Sequence, residues 1–177
     1  MLRNTTESYG LVSRALHWLL AALLLAVLVV GLVVDEMAKG PVRSATMNWH
    51  QSLGFLVLVL VAARLLWRLV NPVPQPEGTA LARRLAVLMH WVLYALMIVQ
   101  PLSGWLMIQA HGHELALFGR IPLPVLVAES EPLEEVMEAL HGSIWIVLAI
   151  AALGHAAAAL KHHFIDRDRT LVRMLRG

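Results

Sequence analysis

The stretch from Leu140 to Leu160 reads LHGSIWIVLAIAALGHAAAAL and contains no Asp, Glu, Lys or Arg. A helix that crosses the hydrocarbon core of a bilayer needs about 20 predominantly apolar residues, so this stretch is predicted to span a membrane. Its two histidines, His141 and His155, are 14 residues apart. At 100° per residue, that spacing is within about 40° of four full turns, so both imidazoles lie on one helix face. The rise per residue separates them by about 21 Å along the axis.

Three other apolar stretches are long enough to span a bilayer. They run from about Ala15 to Val34, from about Trp49 to Val70 and from about Leu85 to Ala110. Charged residues make up only 15% of the chain, against about 25% in soluble domains, which indicates lipid as the solvent. The first stretch is longer than the core of a signal peptide and no cleavage site follows it, so we expect it to be retained. We therefore predict an all-α transmembrane four-helix bundle, a single integral-membrane domain over residues 1–177 with helices at about 13–34, 47–70, 81–110 and 134–163.

Local signals predict where the helices begin and end. Ser13 is expected to cap the first helix, since serine is favoured at that position. Asn71-Pro72 is expected to end the second helix, because proline disfavours the helical conformation in the residue before it. Residues 111–139 are predicted to form the one long connection, with the segment from Glu134 beginning the fourth helix early.

The basic residues predict the orientation, because Lys and Arg near the ends of spans remain on the cytoplasmic side. Eleven of the 14 lie on the side of the N-terminus: Arg3, Arg14, Arg64, Arg68, Arg83, Arg84, Lys161, Arg167, Arg169, Arg173 and Arg176. The opposite, outer side holds Lys39, Arg43 and Arg120 with a larger number of acidic residues, so it is net negative. The six tryptophans fall near the ends of the spans and are typical of two interfacial belts. Both termini are therefore predicted to be cytoplasmic.

Five histidines lie within or at the ends of the predicted spans: His17, His50, His90, His141 and His155. Chain direction places His50 and His141 at a similar depth near the outer surface, whereas the other three lie in the inner half. One such histidine alone would be compatible with a packing residue or a proton site. Five ionisable side chains at membrane depth are costly and indicate function. Spacing leaves open which inner histidines form a pair.

These two depths predict two cofactors rather than one shared metal ion, because about 21 Å separates the histidines of the last helix. Neutral imidazole is a ligand of haem iron, and a haem takes its two axial ligands from opposite faces. The chain has no cysteine, which excludes iron–sulfur clusters and covalently attached haem. Two b-type haems at two depths in the bilayer are therefore predicted.

Neighbouring residues are suited to a flat macrocycle and its carboxylates. Small residues adjoin the histidines at Ala21, Gly54, Gly142, Gly154 and Ala156 to Ala159. The alternative is ordinary small-residue packing between membrane helices. Arg64 follows His50 by 14 residues, and it is expected either to pair with a propionate of the inner haem or to extend to the membrane surface. Methionine ligation, for example by Met47 or Met89, is an alternative to two histidines at each haem.

Taken in order, these residues resemble the prokaryotic cytochrome b561 family over nearly the whole chain. The resemblance is carried by Leu16-His17-Trp18, Trp49-His50 with Gly54, Ala63-Arg64-Leu65-Leu66, His90 with Tyr94, Leu140-His141, and Gly154-His155 with the four alanines and His162-His163 that follow. It implies that His17 and His155 ligate the inner haem, and that His50 and His141 ligate the outer haem. His90 would then lie beside the ligands or handle protons.

The implied function is electron transfer in a bacterial inner membrane, from a donor outside to ubiquinone or another membrane quinone. Candidate quinone residues are His162, Arg68, Arg83, Arg84 and His90. One branch of the family takes its electrons from superoxide. The net negative outer face is unfavourable for an anionic donor unless Lys39, Arg43 and Arg120 gather near the outer haem.

Two other functions fit the same features. The first is a haem-bearing membrane anchor, or cytochrome b subunit, for a separate dehydrogenase or hydrogenase, which would make a redox protein a partner. The second is a haem-free channel or transporter with a histidine relay, which the absence of interrupted helices disfavours. Membrane lipid is an expected partner and nucleic acid is not. The pair His111 and His113 is predicted to be a solvated loop rather than a metal site, and no role is assigned to His163.

Overall fold

Four long helices make up most of the computed structural model, which describes residues 1–177. In chain order the elements are α1 (Leu11–Glu36), α2 (Pro41–Leu69), α3 (Ala80–Ala110), the strands β1 (Ala116–Leu117) and β2 (Ile121–Pro122), α4 (Glu131–Lys161), a π-helical turn (His162–Asp166) and α5 (Thr170–Leu175). All four long helices have the length and apolar composition of membrane spans. A helix satisfies its own backbone polar groups, as the hydrocarbon region requires. The predicted all-α transmembrane four-helix bundle is therefore confirmed.

Two predictions about the helix starts are wrong, namely the Ser13 cap and a second helix that begins near residue 47. The first helix begins at Leu11 after Gly10, and the Ser13 hydroxyl does not cap it but donates to the side-chain oxygen of Asn4 at 2.7 Å. The second helix begins at Pro41 rather than near residue 47. Proline suits the first position of a helix because its missing N–H has no intrahelical partner there. The connection between α1 and α2 is therefore a short turn.

The long connection before α4 is ordered by its contacts with the helices. Its strands β1 and β2 pair antiparallel, and the backbone N–H of Phe118, between them, donates to the buried Ser52 hydroxyl of α2 at 2.7 Å. Gln109 is 4% exposed; its amide nitrogen donates to the Pro124 carbonyl and its amide oxygen accepts from the Leu126 N–H, both at 2.8 Å. The helix that follows begins at Glu131, slightly earlier than predicted.

Helices adjacent in sequence pack against each other, whereas α1 and α4 make few close backbone contacts. The buried core forms one cluster at mid-depth, made of Leu20, Val57, Val61, Leu93, Tyr94, Met97 and Leu148. Leu148 is seven residues from His141 and seven from His155, so the cluster lies between the two histidine layers. Large apolar side chains such as Leu66 and Leu153 are exposed around the outside, which lipid accommodates and water would not.

Candidate functional site

The outer layer contains one facing pair of histidines. The rings of His50, on α2, and His141, on α4, have centroids 6.2 Å apart and are inclined by 85°. The Nδ1 of His50 lies 3.1 Å from the Val27 carbonyl oxygen of α1, and the Nδ1 of His141 lies 3.0 Å from the Gln100 carbonyl oxygen of α3. A carbonyl can only accept, so each Nδ1 carries the hydrogen and donates. Each Nε2 therefore keeps a lone pair for a metal.

A glycine brings each of these rings against the neighbouring helix. A Cβ on Gly31 would lie 2.8 Å from Cε1 of His50, and a Cβ on Gly104 would lie 2.8 Å from Cε1 of His141. Each glycine follows by four residues the residue whose carbonyl accepts the hydrogen bond, Val27 or Gln100. The same arrangement, a carbonyl and a glycine one turn later, thus positions both outer imidazoles.

The inner layer contains three histidine rings rather than two. His17 of α1 and His155 of α4 have centroids 6.2 Å apart and are inclined by 80°. His90 of α3 lies closer to His155, with centroids 5.3 Å apart and planes inclined by 67°. The three inner histidines predicted from the sequence therefore meet in one cluster.

The centroid spacings distinguish these pairs when they are compared with metal coordination. A metal–imidazole bond of about 2.0–2.1 Å, the range for zinc, and a ring centre about 1.1 Å behind its nitrogen put two imidazoles on opposite sides of one metal at roughly 6.2–6.4 Å. Both 6.2 Å pairs fit this value. The 5.3 Å spacing of His90 and His155 is too short for it. Both longer pairs could therefore hold haem iron.

Arg64 is a half-buried charge in the inner layer. Its Nε donates to the Tyr94 hydroxyl at 3.1 Å, whereas its Nη1 is buried without a hydrogen-bond partner in the protein. The guanidinium is near enough to act electrostatically on His17, His90 and His155. A buried unpaired donor of this kind is costly unless a partner is supplied. A carboxylate, such as a haem propionate, fits the unpaired nitrogen.

The other predicted inner residues divide between two places. Arg83 and Arg84 line an open groove of about 540 Å³ with Gln75, Pro76, Val87, Leu88 and Trp91. The Arg68 guanidinium lies 5.8 Å from the ring centre of Trp91 and 5.9 Å from that of Tyr94. His162 does not line the groove; its Nδ1 pairs with Asp168 at 2.5 Å. His90 also lies away from the groove lining, beside His155.

Two ionisable groups outside the spans belong to this inner region. Burial raises the pKa of Tyr9, although Arg68, Arg64 and Arg173 oppose the rise. Burial also acts to raise the pKa of Asp168, but hydrogen bonds from Thr170 and His162 outweigh it and lower that pKa below its ordinary value. At neutral pH, Tyr9 is therefore protonated and Asp168 is ionised.

The remaining histidines have surface partners. His111 forms an ion pair with Glu134 of α4, and the His113 ring lies 4.9 Å from that of His111. His163 contacts the Phe164 ring edge-on at 4.8 Å. None of the three lies in either histidine layer.

Several residues at the site were not predicted from the sequence. They are Val27, Gly31, Gln100, Gly104 and Tyr9. Gly31 and Gly104 precede their histidines by 19 and 37 residues, so no common spacing marks them. Gly54, Gly142 and Gly154, which the sequence suggested as room for a haem, are not packed against a histidine ring. Added Cβ atoms at Gly142 and Gly154 would meet nothing within 4 Å, and one at Gly54 would just reach the Pro101 Cβ, at 4.0 Å.

A transmembrane bundle fits a membrane cytochrome of the b type when imidazoles are paired across it and each outer imidazole keeps a free Nε2. The chain belongs to the prokaryotic cytochrome b561 family, whose model matches residues 8–177. It is 34% identical to cytochrome b561 homolog 2 of Escherichia coli (strain K12), over 97% of this chain and 93% of that protein. It is 30% identical to the "Probable superoxide oxidase CybB" of Yersinia pestis, over 96% of each chain. Cytochrome b561 homolog 1 of Escherichia coli (strain K12) is 30% identical over 71% of this chain and 72% of its own.

Membership establishes the general function. The protein is a multi-pass bacterial membrane cytochrome that binds b-type haem and takes part in electron transfer.

Proposed function

We propose that this protein transfers electrons across the bacterial inner membrane through two b-type haems and delivers them to a membrane quinone. His50 and His141 would hold the outer haem, and His17 and His155 the inner one. The observation that carries the proposal is the equal 6.2 Å spacing of these two pairs, one on either side of the buried core. The relatives named as cytochromes b561 support haem binding as such.

The residues around each histidine pair would contribute to haem binding in different ways. Bound haem supplies one-electron redox chemistry at its iron. The carbonyls of Val27 and Gln100 orient the outer imidazoles and hold them in the tautomer that presents Nε2. Arg64 would neutralise a carboxylate of the inner haem through the nitrogen that has no protein partner. Because two histidines would hold each haem, donor and acceptor would bind to protein surfaces rather than to the iron.

The groove lined by Arg83, Arg84 and Trp91 is our candidate for the quinone site. Its apolar wall suits a ring and prenyl tail, and its two arginines can donate hydrogen bonds to a quinone carbonyl. Arg68 lies over both Trp91 and Tyr94, and Tyr94 accepts a hydrogen bond from Arg64. These contacts connect the groove to the inner histidine layer. His162, predicted to assist, would act from beside the groove, and His90 from within the histidine cluster.

Superoxide is our candidate for the outer electron donor. The support is the similarity to a relative named a probable superoxide oxidase. Arg120 lies in the turn between β1 and β2, which is held against α2 through Phe118 and Ser52. Lys39 precedes α2 and Arg43 is in its first turn, so these two basic residues lie at the outer end of this helix, and Arg120 lies further along it, beside the turn that contains Ser52. Local positive charge there would attract an anion despite the net negative outer side.

The count of haems tests the central proposal. Purified protein, expressed with sufficient haem, should contain two b haems per chain by pyridine haemochrome absorbance. His17→Ala should reduce this count to about one, because it removes an axial ligand. His90→Ala is the matched control from the same cluster and should retain two. One haem in the unaltered protein, or haem loss in the His90 variant and not in the His17 variant, would overturn the assignment.

Stopped-flow spectroscopy tests the donor and acceptor separately. Superoxide should reduce the haems in a reaction that superoxide dismutase abolishes, and ubiquinone should reoxidise them. Reduction that persists with dismutase present would exclude superoxide as the donor. Failure of ubiquinone and other membrane quinones to reoxidise the haems would exclude the quinone step.

A further inference from the structure

The two histidine layers differ in the hydrogen bonds of their imidazoles. Both outer rings donate Nδ1–H to a backbone carbonyl: His50 to Val27 at 3.1 Å and His141 to Gln100 at 3.0 Å. The Ser103 hydroxyl, 2% exposed, lies 3.2 Å from the same nitrogen of His141. In the inner layer, neither His17 nor His155 makes a hydrogen bond to the protein. An imidazole that donates its second N–H to an oxygen is a more basic ligand.

The layers also differ in the sign of the charge that acts on both of their paired imidazoles. In the inner layer, Arg64 is close enough to act on both His17 and His155, and its Nη1 is buried and unpaired. In the outer layer, the residue that acts on both His50 and His141 is Asp35 of α1. Arg64 is half-buried whereas Asp35 is exposed, and a partly buried charge is screened less than an exposed one. Arg64 should therefore have the larger effect of the two.

We propose that these differences make the outer haem-binding site lower in reduction potential than the inner one, so that the protein itself favours electron transfer inward. The inference rests on the proposed two-haem function. Reduction of an iron centre removes one unit of positive charge. A cation such as Arg64 therefore stabilises the reduced form, whereas basic ligands and Asp35 stabilise the oxidised form. At each site, hydrogen bonding and charge act in the same direction.

Potentiometry of the purified holoprotein, followed by haem absorbance, measures the two potentials directly. We expect two separate components. Arg64→Gln should lower the higher one by at least about tenfold in its equilibrium constant, which corresponds to about 59 mV for one electron. Arg64→Lys keeps the positive charge, so the higher reduction potential should remain close to that of the unaltered protein. Arg169→Gln removes an exposed cytoplasmic arginine and is the matched control, for which neither component should move.

The outer site is tested with a milder variant. Asp35 is exposed, so Asp35→Asn is expected to fold normally even if an Arg64 variant does not. It should raise the lower component and leave the higher one unchanged. His50→Ala should abolish the lower component, which assigns it to the outer site.

Three results would overturn the inference. They are two indistinguishable potentials, a lower component that responds to Arg64→Gln, or a higher component that is lost in His50→Ala. In each of these cases the unaltered protein still contains two haems. A single haem in the unaltered protein would instead refute the two-haem proposal itself.

Discussion

A methyl group added at Gly104 tests how the outer site is built. The new Cβ would lie 2.8 Å from Cε1 and 3.0 Å from Nδ1 of His141, whereas carbon atoms in contact prefer about 3.5–4.0 Å. The ring would have to recede by about 0.7 Å. That movement would stretch the 3.0 Å hydrogen bond to Gln100 beyond the usual limit of about 3.2 Å. Gly104→Ala should therefore displace the His141 ring and weaken the hydrogen bond that keeps its proton on Nδ1.

The magnitude follows from opposing contributions. Overpacking costs about 1–3 kcal/mol, and the lost hydrogen bond costs about 0.5–1.5 kcal/mol more. Replacing a helical glycine with alanine offsets up to about 1 kcal/mol. The net destabilisation of about 0.5–4.5 kcal/mol corresponds to a fall in melting temperature of roughly 1–18 °C for a chain of this length. Haem affinity at the outer site should fall by about 10- to 100-fold, as when other groups that orient metal ligands are altered.

Gly142→Ala is the matched control, since it makes the same substitution beside the same histidine. Its Cβ would meet nothing within 4 Å, so haem content should be unchanged and stability equal or slightly higher. Haem per chain and thermal unfolding of the purified proteins measure both effects. Full haem content and an unchanged melting temperature in Gly104→Ala would refute the reasoning, as would equal damage in Gly142→Ala.

Two further predictions concern the inner side. Replacing both Arg83 and Arg84 with glutamine removes the guanidinium hydrogen-bond donors of the groove. This double variant should slow reoxidation of the haems by ubiquinone about tenfold or more and leave the haem content unchanged. Stopped-flow absorbance measures the rate, and an unaltered rate would exclude the groove as the quinone site. The pKa of Asp168 is lower in the folded protein than its ordinary value of 3.8. The ionised carboxylate therefore contributes stability at pH values above 3.8, and this contribution is lost as the pH falls through the lowered pKa. Asp168→Asn should therefore be less stable than the unaltered protein at pH 7, and the difference in melting temperature should shrink as the pH is lowered below about 4; a difference independent of pH would contradict this.

The membrane spans and the depths of the histidines were predictable because both depend on short-range regularities. A bilayer imposes a minimum apolar length on each helix, and helical periodicity relates His141 to His155 directly. Direction reversal at each connection then brings His50 to the level of His141. The helix starts were less predictable, since Ser13 has a partner in Asn4 that no local rule reveals.

The arrangement around the rings depends on contacts between helices and is visible only in the tertiary structure. Sequence spacing left His17, His90 and His155 equivalent, and the structure brings all three together, with the His155 ring 6.2 Å from that of His17 and 5.3 Å from that of His90. The carbonyls and glycines that hold the outer imidazoles are on other helices than the histidines, at unrelated distances along the chain. Helical periodicity relates residues within one helix, but the rotation and depth of each helix relative to its neighbours are set by packing. Packing therefore decides which backbone carbonyl and which glycine each imidazole meets.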